Sequence, residues 1–115
     1  MVASGEARLE DARREDLSLA SRFDLAYNAA HALALAALRW HGFRCENRYL
    51  VFQCLQHTVD LRASHWRVLA EAHRKRNLSE YEGQLEVDLS LIEAMIRVTG
   101  EVRNRLEGLG LPTEE

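Results

Sequence analysis

Residues Ser18 to Gly42 read SLASRFDLAYNAAHALALAALRWHG, and this stretch decides the fold. Ser18 is a helix N-cap residue, and Gly42 suits the left-handed position just past a helix end, so the pattern predicts one long helix from Leu19 to Trp40. Leu19, Phe23, Ala26, Tyr27, Ala30, Ala34, Ala37 and Leu38 recur every three or four residues and form one apolar face. Leu25, Ala29, Leu33 and Ala36 make the opposite side apolar too. A helix that is apolar all round must be covered on two sides. In so short a chain, one cover is the core and the simplest second cover is another copy of the protein. The expectation is a homodimer whose spine is this helix.

Before the spine, residues 1–17 carry Glu6, Arg8, Glu10, Asp11, Arg13, Arg14, Glu15 and Asp16 around Ala7, Leu9 and Ala12. That composition predicts an N-terminal arm or short helix, mostly exposed, supported by ion pairs three or four residues apart and frayed at its start. After the spine, Phe43 to Arg48 is a polar loop, and Asn47 can cap a short helix from Arg48 to His57 that buries Leu50, Val51, Cys54 and Leu55. Thr58 to Leu61 interrupt the pattern. A further helix, started by Asp60 or capped by Ser64, carries Trp66, Leu69, Ala70 and His73 and is expected to end near Arg76. Asp88 opens the last helix, whose stripe is Leu89, Ile92, Met95, Ile96, Thr99, Val102, Leu106 and Leu109, with Gly110 and Pro112 as its stop. The expected fold is all-α: an up-and-down four-helix bundle over residues 18–110 with a short N-terminal helical arm and a disordered tail at 111–115.

Composition agrees with that class and bounds the function. A chain of 115 residues is one domain, able to bury a core without metal or disulfides. One proline against 47% apolar residues, rich in Ala and Leu, favours helix over sheet. The net charge of −3 argues against whole-molecule attraction to nucleic acid or anionic membrane, so any such binding has to be local. All the cations but Lys75 are arginines, a bias that GC-rich coding would also produce, though Arg offers a planar fork for phosphate or carboxylate. Cys45 and Cys54 form no CxxC pair and follow no secretory signal pattern, so the expectation is a reducing cytoplasmic compartment. The longest apolar run, Ala32 to Leu38, is far too short to span a bilayer.

Chemistry concentrates in one stretch, His73-Arg74-Lys75-Arg76-Asn77-Leu78-Ser79-Glu80-Tyr81. One reading is a helix end whose cations complement the macrodipole. The other is that Arg76 and Asn77 face an anion, with Arg74 and Lys75 adding local charge and Tyr81 about one turn further on. No phosphate-binding glycine loop, HExxH or GxSxG pattern is present. His57, His65 and His73 turn about 80° around a helix at each eight-residue step, which does not gather them for a metal. Neither metal nor cofactor is expected. Glu80, Glu82, Glu86 and Asp88 are carboxylates of a connecting segment and receive no acid–base role.

Arg22-Phe23-Asp24-Leu25-Ala26-Tyr27-Asn28-Ala29-Ala30-His31, followed by Arg76-Asn77-Leu78-Ser79-Glu80-Tyr81-Glu82-Gly83, resembles the HEPN superfamily, over roughly residues 18–109. The likeness is to prokaryotic members with an Arg-Asn-x-x-x-Tyr ending. It implies a dimeric four-helix bundle with the Arg motif of each subunit near the twofold axis. It also implies phosphate recognition: many members are metal-independent ribonucleases, often toxins paired with a nucleotidyltransferase antitoxin, and others bind nucleotides. On that pattern Arg76 holds the phosphate, Asn77 orients it, and a His takes the 2′-hydroxyl proton. Tyr81 stands at the His position here. A phenol with a pKa near 10 is a weak base at neutral pH, so the resemblance implies RNA or nucleotide binding with, at most, weak endoribonuclease activity. Asn28, His31 and His73 are the reserve site residues. The alternative is a noncatalytic dimeric interaction module in which Arg76 and Asn77 only cap a helix.

Overall fold

A computed structural model describes residues 2–82 and 87–110, with the side chains of 80–82 excepted. Among the described residues the only regular elements are helices, and there is no strand: α1 Val2–Ala12, α2 Leu19–Trp40, α3 Arg48–Gln53, α4 Leu55–Thr58, α5 Ala63–Glu82 and α6 Leu89–Gly108. No helix among them is long and apolar enough to cross a membrane.

The central helix α2 has the predicted ends. Ser18 Oγ accepts a hydrogen bond from the Ser21 backbone N–H at 3.1 Å, which satisfies one otherwise unpaired donor of the first turn. At the other end Gly42 takes φ +83°, its N–H bonds to Arg39 O at 2.9 Å, and the Phe43 N–H reaches Leu38 O at 3.1 Å. These two bonds close the helix as a Schellman motif. Both apolar faces of α2 are buried, from Phe23 and Tyr27 on one side to Ala29 and Leu33 on the other.

The cover on the second face is α1. Val2, Gly5, Leu9 and Ala12 follow a helical stripe and are buried, so this segment is a packed element of the core and not an exposed arm. A Cβ on Gly5 would lie 3.0 Å from Leu33 Cγ and Cδ2 and 3.4 Å from Ala29 O, so the missing side chain is what lets the two helices approach. Arg22 joins them again: its Nε donates to Ala12 O at 2.8 Å, satisfying a carbonyl at the end of α1. The burial for which the alanine-rich spine seemed to need a second copy is thus supplied within the chain.

Asn47 caps α3 by accepting from the Leu50 N–H at 3.1 Å. The expected helix over 48–57 is divided at Cys54 into α3 and α4. Neither Asp60 nor Ser64 caps α5. Asp60 takes a left-handed turn at φ +56°, and the first α5 carbonyl in use is that of Arg62, which accepts from the Trp66 N–H at 3.1 Å. Arg105 of α6 braces this turn, donating through NH1 to Val59 O at 3.0 Å and Asp60 O at 3.1 Å.

The main departure from expectation is the length of α5. It continues through Arg76 to Glu82, so the cationic stretch is helix interior and not a connection between helices. No glycine or proline stands between Arg76 and Gly83, and Leu78 and Glu80 are good helix formers. Ser79, which could have ended the helix, instead donates its Oγ–H to Arg76 O at 2.7 Å and bonds back onto its own turn. The helix-end reading of Arg74, Lys75 and Arg76 fails for the same reason. Asp88 caps α6 as expected, its Oδ1 accepting from the Leu91 N–H at 2.7 Å.

Candidate anion site on Tyr27

Because α5 stays helical past Arg76, His73, Arg76 and Asn77 fall on adjoining positions of one surface, three and four residues apart. That surface faces Tyr27 of α2 and the start of α3. The Tyr27 hydroxyl lies 2.9 Å from His73 Nδ1, and Asn77 Nδ2 lies 3.1 Å from His73 Nε2. A neutral imidazole has one N–H and one lone pair. If the Asn77 amide donates to Nε2, the proton sits on Nδ1 and is donated to the Tyr27 oxygen. Both ring nitrogens are therefore held, and the ring orientation is set by residues from two helices.

Tyr27, only 1% exposed, is the floor of the cluster. The Arg76 guanidinium carbon stands 4.8 Å from its ring centroid and that of Arg48 stands 5.5 Å away. Phe52 meets the same ring edge-on with centroids 5.8 Å apart. Each cation gains from the aromatic face, but two guanidiniums on one ring repel each other. Among the described residues neither has a carboxylate within ion-pair distance, and Arg48 NH1 is buried without a hydrogen-bond partner.

His31, one helical turn beyond Tyr27, packs its ring edge-on against Phe52 at 6.2 Å. Its pKa is pushed down to about 4, first by burial and then by the nearby charges of Arg48, Arg76 and His73. It is neutral at pH 7. The corner is electropositive through arginine, and the adjacent imidazole is kept from adding a charge.

The predicted residues separate accordingly. Arg76, Asn77, His73 and His31 come together. Arg74 does not join them: its Nε donates to Glu71 at 3.0 Å and its NH2 to the other carboxylate oxygen. That exposed pair lowers the Glu71 pKa and raises that of Arg74. Lys75 lines a separate surface depression with Asp88 and Leu91. Asn28 is half-buried beside Tyr27 and, among the described residues, makes none of the contacts that hold the cluster. The side chain of Tyr81 lies outside the described residues.

Sequence reasoning missed Arg48 and assigned no role to Tyr27. A signal for Arg48 was present: it occupies the first position after the Asn47 cap, where the macrodipole disfavours a cation. Chemically, two planar guanidinium forks fixed on an aromatic floor suit an oxyanion of phosphate type. The adjacent His73 is held at both ring nitrogens, by Tyr27 and by Asn77. No protein-family model matches the chain, and no curated protein or solved structure matches it.

Proposed function

We propose that this chain is a HEPN-like helical protein that binds the phosphate of RNA or a nucleotide between Arg48 and Arg76, with at most weak metal-independent cleavage. One observation carries the reading: two guanidiniums stand on the Tyr27 ring and, among the described residues, neither has a carboxylate within ion-pair distance. An anion entering there offsets their repulsion. The reading is supported further by the meeting of the two stretches that carry the resemblance, since Tyr27 and His31 of the first contact or influence His73, Arg76 and Asn77 around the second. In the proposed arrangement Arg76 and Arg48 hold the phosphate and Asn77 orients His73. A HEPN-type dimer and a nucleotidyltransferase partner belong to the same proposal.

The test is binding of a short single-stranded RNA, measured against salt without divalent metal, for the wild type, Arg76→Ala and Arg48→Ala. Cleavage is read in the same samples, with Tyr81→His included to restore the base that the motif lacks. Wild type should bind with a shallow salt slope of about −1 to −2, reflecting two or three phosphates. Each Ala variant should lose about tenfold or more in affinity while keeping its helical circular dichroism. Binding that ignores both salt and the two substitutions would sink the proposal.

A second reading, a noncatalytic interaction module, draws on the large apolar side chains left exposed at the end of α2, in the loop after it and on α3. Trp40 is 49% exposed, Phe43 63% and Leu50 45%. It predicts that Arg76→Ala lowers the melting temperature and leaves ligand binding absent in every variant.

A further inference from the structure

Next to the arginine cluster, α3 and α5 enclose a surface groove of about 510 Å³ lined by Tyr49, Arg67, Ala70, Glu71, His73, Arg74, Asn77 and Leu78. Its size is that of a small-molecule site, and its exposed wall is mostly apolar. Tyr49 and Leu78 are part of that wall and are 42% and 40% exposed. The Tyr49 ring is propped rather than loose. Trp66 meets it edge-on with centroids 6.4 Å apart, and the His73 ring lies 6.4 Å away on another side.

The groove adjoins the anion site, although neither Arg48 nor Arg76 lines it. Arg48 and Tyr49 are consecutive residues of α3, the first over Tyr27 and the second over the groove. His73 and Asn77 belong to both, since they line the groove and make the hydrogen bonds that reach Tyr27. A ligand held by its anion at Arg48 and Arg76 therefore has its next few atoms against Asn77 and a supported, exposed aromatic face. The rim carries a neutral amide, Asn77, the closed Glu71–Arg74 pair and Arg67, whose guanidinium carbon lies 5.8 Å from the Trp66 ring centroid, so its charged groups are one closed ion pair and one arginine set over an aromatic ring. The chemistry that matches an anion followed by a flat, uncharged ring system with hydrogen-bonding edges is a nucleotide with its base unpaired.

We infer that the groove at Tyr49 is a nucleobase subsite, in which the base of the nucleotide whose phosphate sits between Arg48 and Arg76 stacks on Tyr49 beside Leu78 and meets the Asn77 amide with its edge. The inference rests on the phosphate-binding reading above. It adds that the protein takes an unpaired base together with its phosphate, which the backbone of a duplex cannot present.

The test compares AMP with ribose 5-phosphate by calorimetry, at one pH and salt, on wild type, Tyr49→Ala, Tyr49→Phe, Leu78→Glu and Arg76→Ala, with melting curves for each. Stacking on a single aromatic side chain is expected to make AMP bind about tenfold tighter than ribose 5-phosphate. Tyr49→Ala should abolish that tenfold gain without changing ribose 5-phosphate binding, and Tyr49→Phe should keep it. Leu78→Glu, on an exposed helix position, should abolish it independently should Tyr49→Ala melt early. Arg76→Ala should weaken both ligands alike. If ribose 5-phosphate binds and AMP binds no tighter, or if the gain survives both Tyr49→Ala and Leu78→Glu, the nucleobase subsite is wrong and the phosphate site stands. If wild type binds neither ligand, both readings fall. Displacement of AMP by an uncharged apolar peptide and not by other nucleotides would assign the groove to protein docking and overturn the inference.

Discussion

His31 is the residue whose behaviour reports most directly on the cluster. Its pKa is held at about 4 against an ordinary value of 6.5, with burial the largest cause and the arginines next. In the unfolded chain it takes up its proton near 6.5, so between about 6.5 and 4 the unfolded state holds more protons than the folded one. Stability therefore falls as the pH drops through that window and levels off below it. Fully converted, the shift would correspond to about 3 kcal/mol. Solvent reaches the half-buried ring, which reduces this to roughly 1 to 2 kcal/mol. The expected outcome is a stability–pH curve for wild type that drops below pH 6.5 and one for His31→Gln that drops less. Parallel curves would show that His31 is not held neutral. A proton NMR titration gives the complementary reading: the His31 midpoint should rise in Arg76→Ala and in Arg48→Ala, since each removes a neighbouring positive charge. The same residue shows why the site was only half legible in sequence. Arg76, Asn77, His73 and His31 stood out by type and spacing, but the charge that completes the cluster comes from Arg48, which joins through tertiary packing of α3 against Tyr27.

At the scale of elements, ends marked by a specific cap were readable and ends marked by composition alone were not. Ser18, Gly42, Asn47, Asp88 and Gly110 all do what their side chain or its absence allows, and the helices they bound begin or stop within a residue of expectation. The end of α5 lies at Glu82 and not near Arg76, because a run of charged and polar residues without glycine or proline does not forbid helix. The standing of α1 was misjudged for a related reason. Its charge density hid a narrow stripe of Val2, Gly5, Leu9 and Ala12, and a glycine carries no hydropathy signal for the close approach it permits. That approach is testable. In an exposed helix Gly→Ala gains about 1 kcal/mol, but here the new Cβ would press on Leu33, which is fully buried and has no free side to move toward. Overpacking costs about 1 to 3 kcal/mol. Gly5→Ala is expected to be neutral to mildly destabilising, and Gly5→Val to cost about 2 kcal/mol in urea unfolding. A stabilised Gly5→Val would mean that α1 is not seated on α2.

For the whole molecule, the radius of gyration of 13.3 Å is what a compact chain of this length should have, about 13 Å, and it leaves no room for a detached N-terminal arm. With α1 in place, the spine helix no longer calls for a second copy, so a dimer has to be argued from surface that remains open. The large apolar side chains at the end of α2 and the start of α3, Trp40, Phe43 and Leu50, are the best supply. A stable dimer buries about 800 Å² on each partner, which such a cluster can centre but not fill alone. Phe43 is the most exposed of them and lies outside the residues lining the nucleobase groove, so it can be changed without disturbing either half of the proposed ligand site. If the protein dimerises through this surface, wild type sediments as a dimer and Phe43→Asp weakens association by about thirtyfold, the effect of losing one central apolar contact worth about 2 kcal/mol. The variant should retain its melting behaviour as a monomer, because Phe43 contributes little to the core it stands outside. Wild type sedimenting as a monomer at micromolar concentration would remove the dimer from the proposed function. A dimer indifferent to Phe43→Asp would move the interface away from the α2–α3 end.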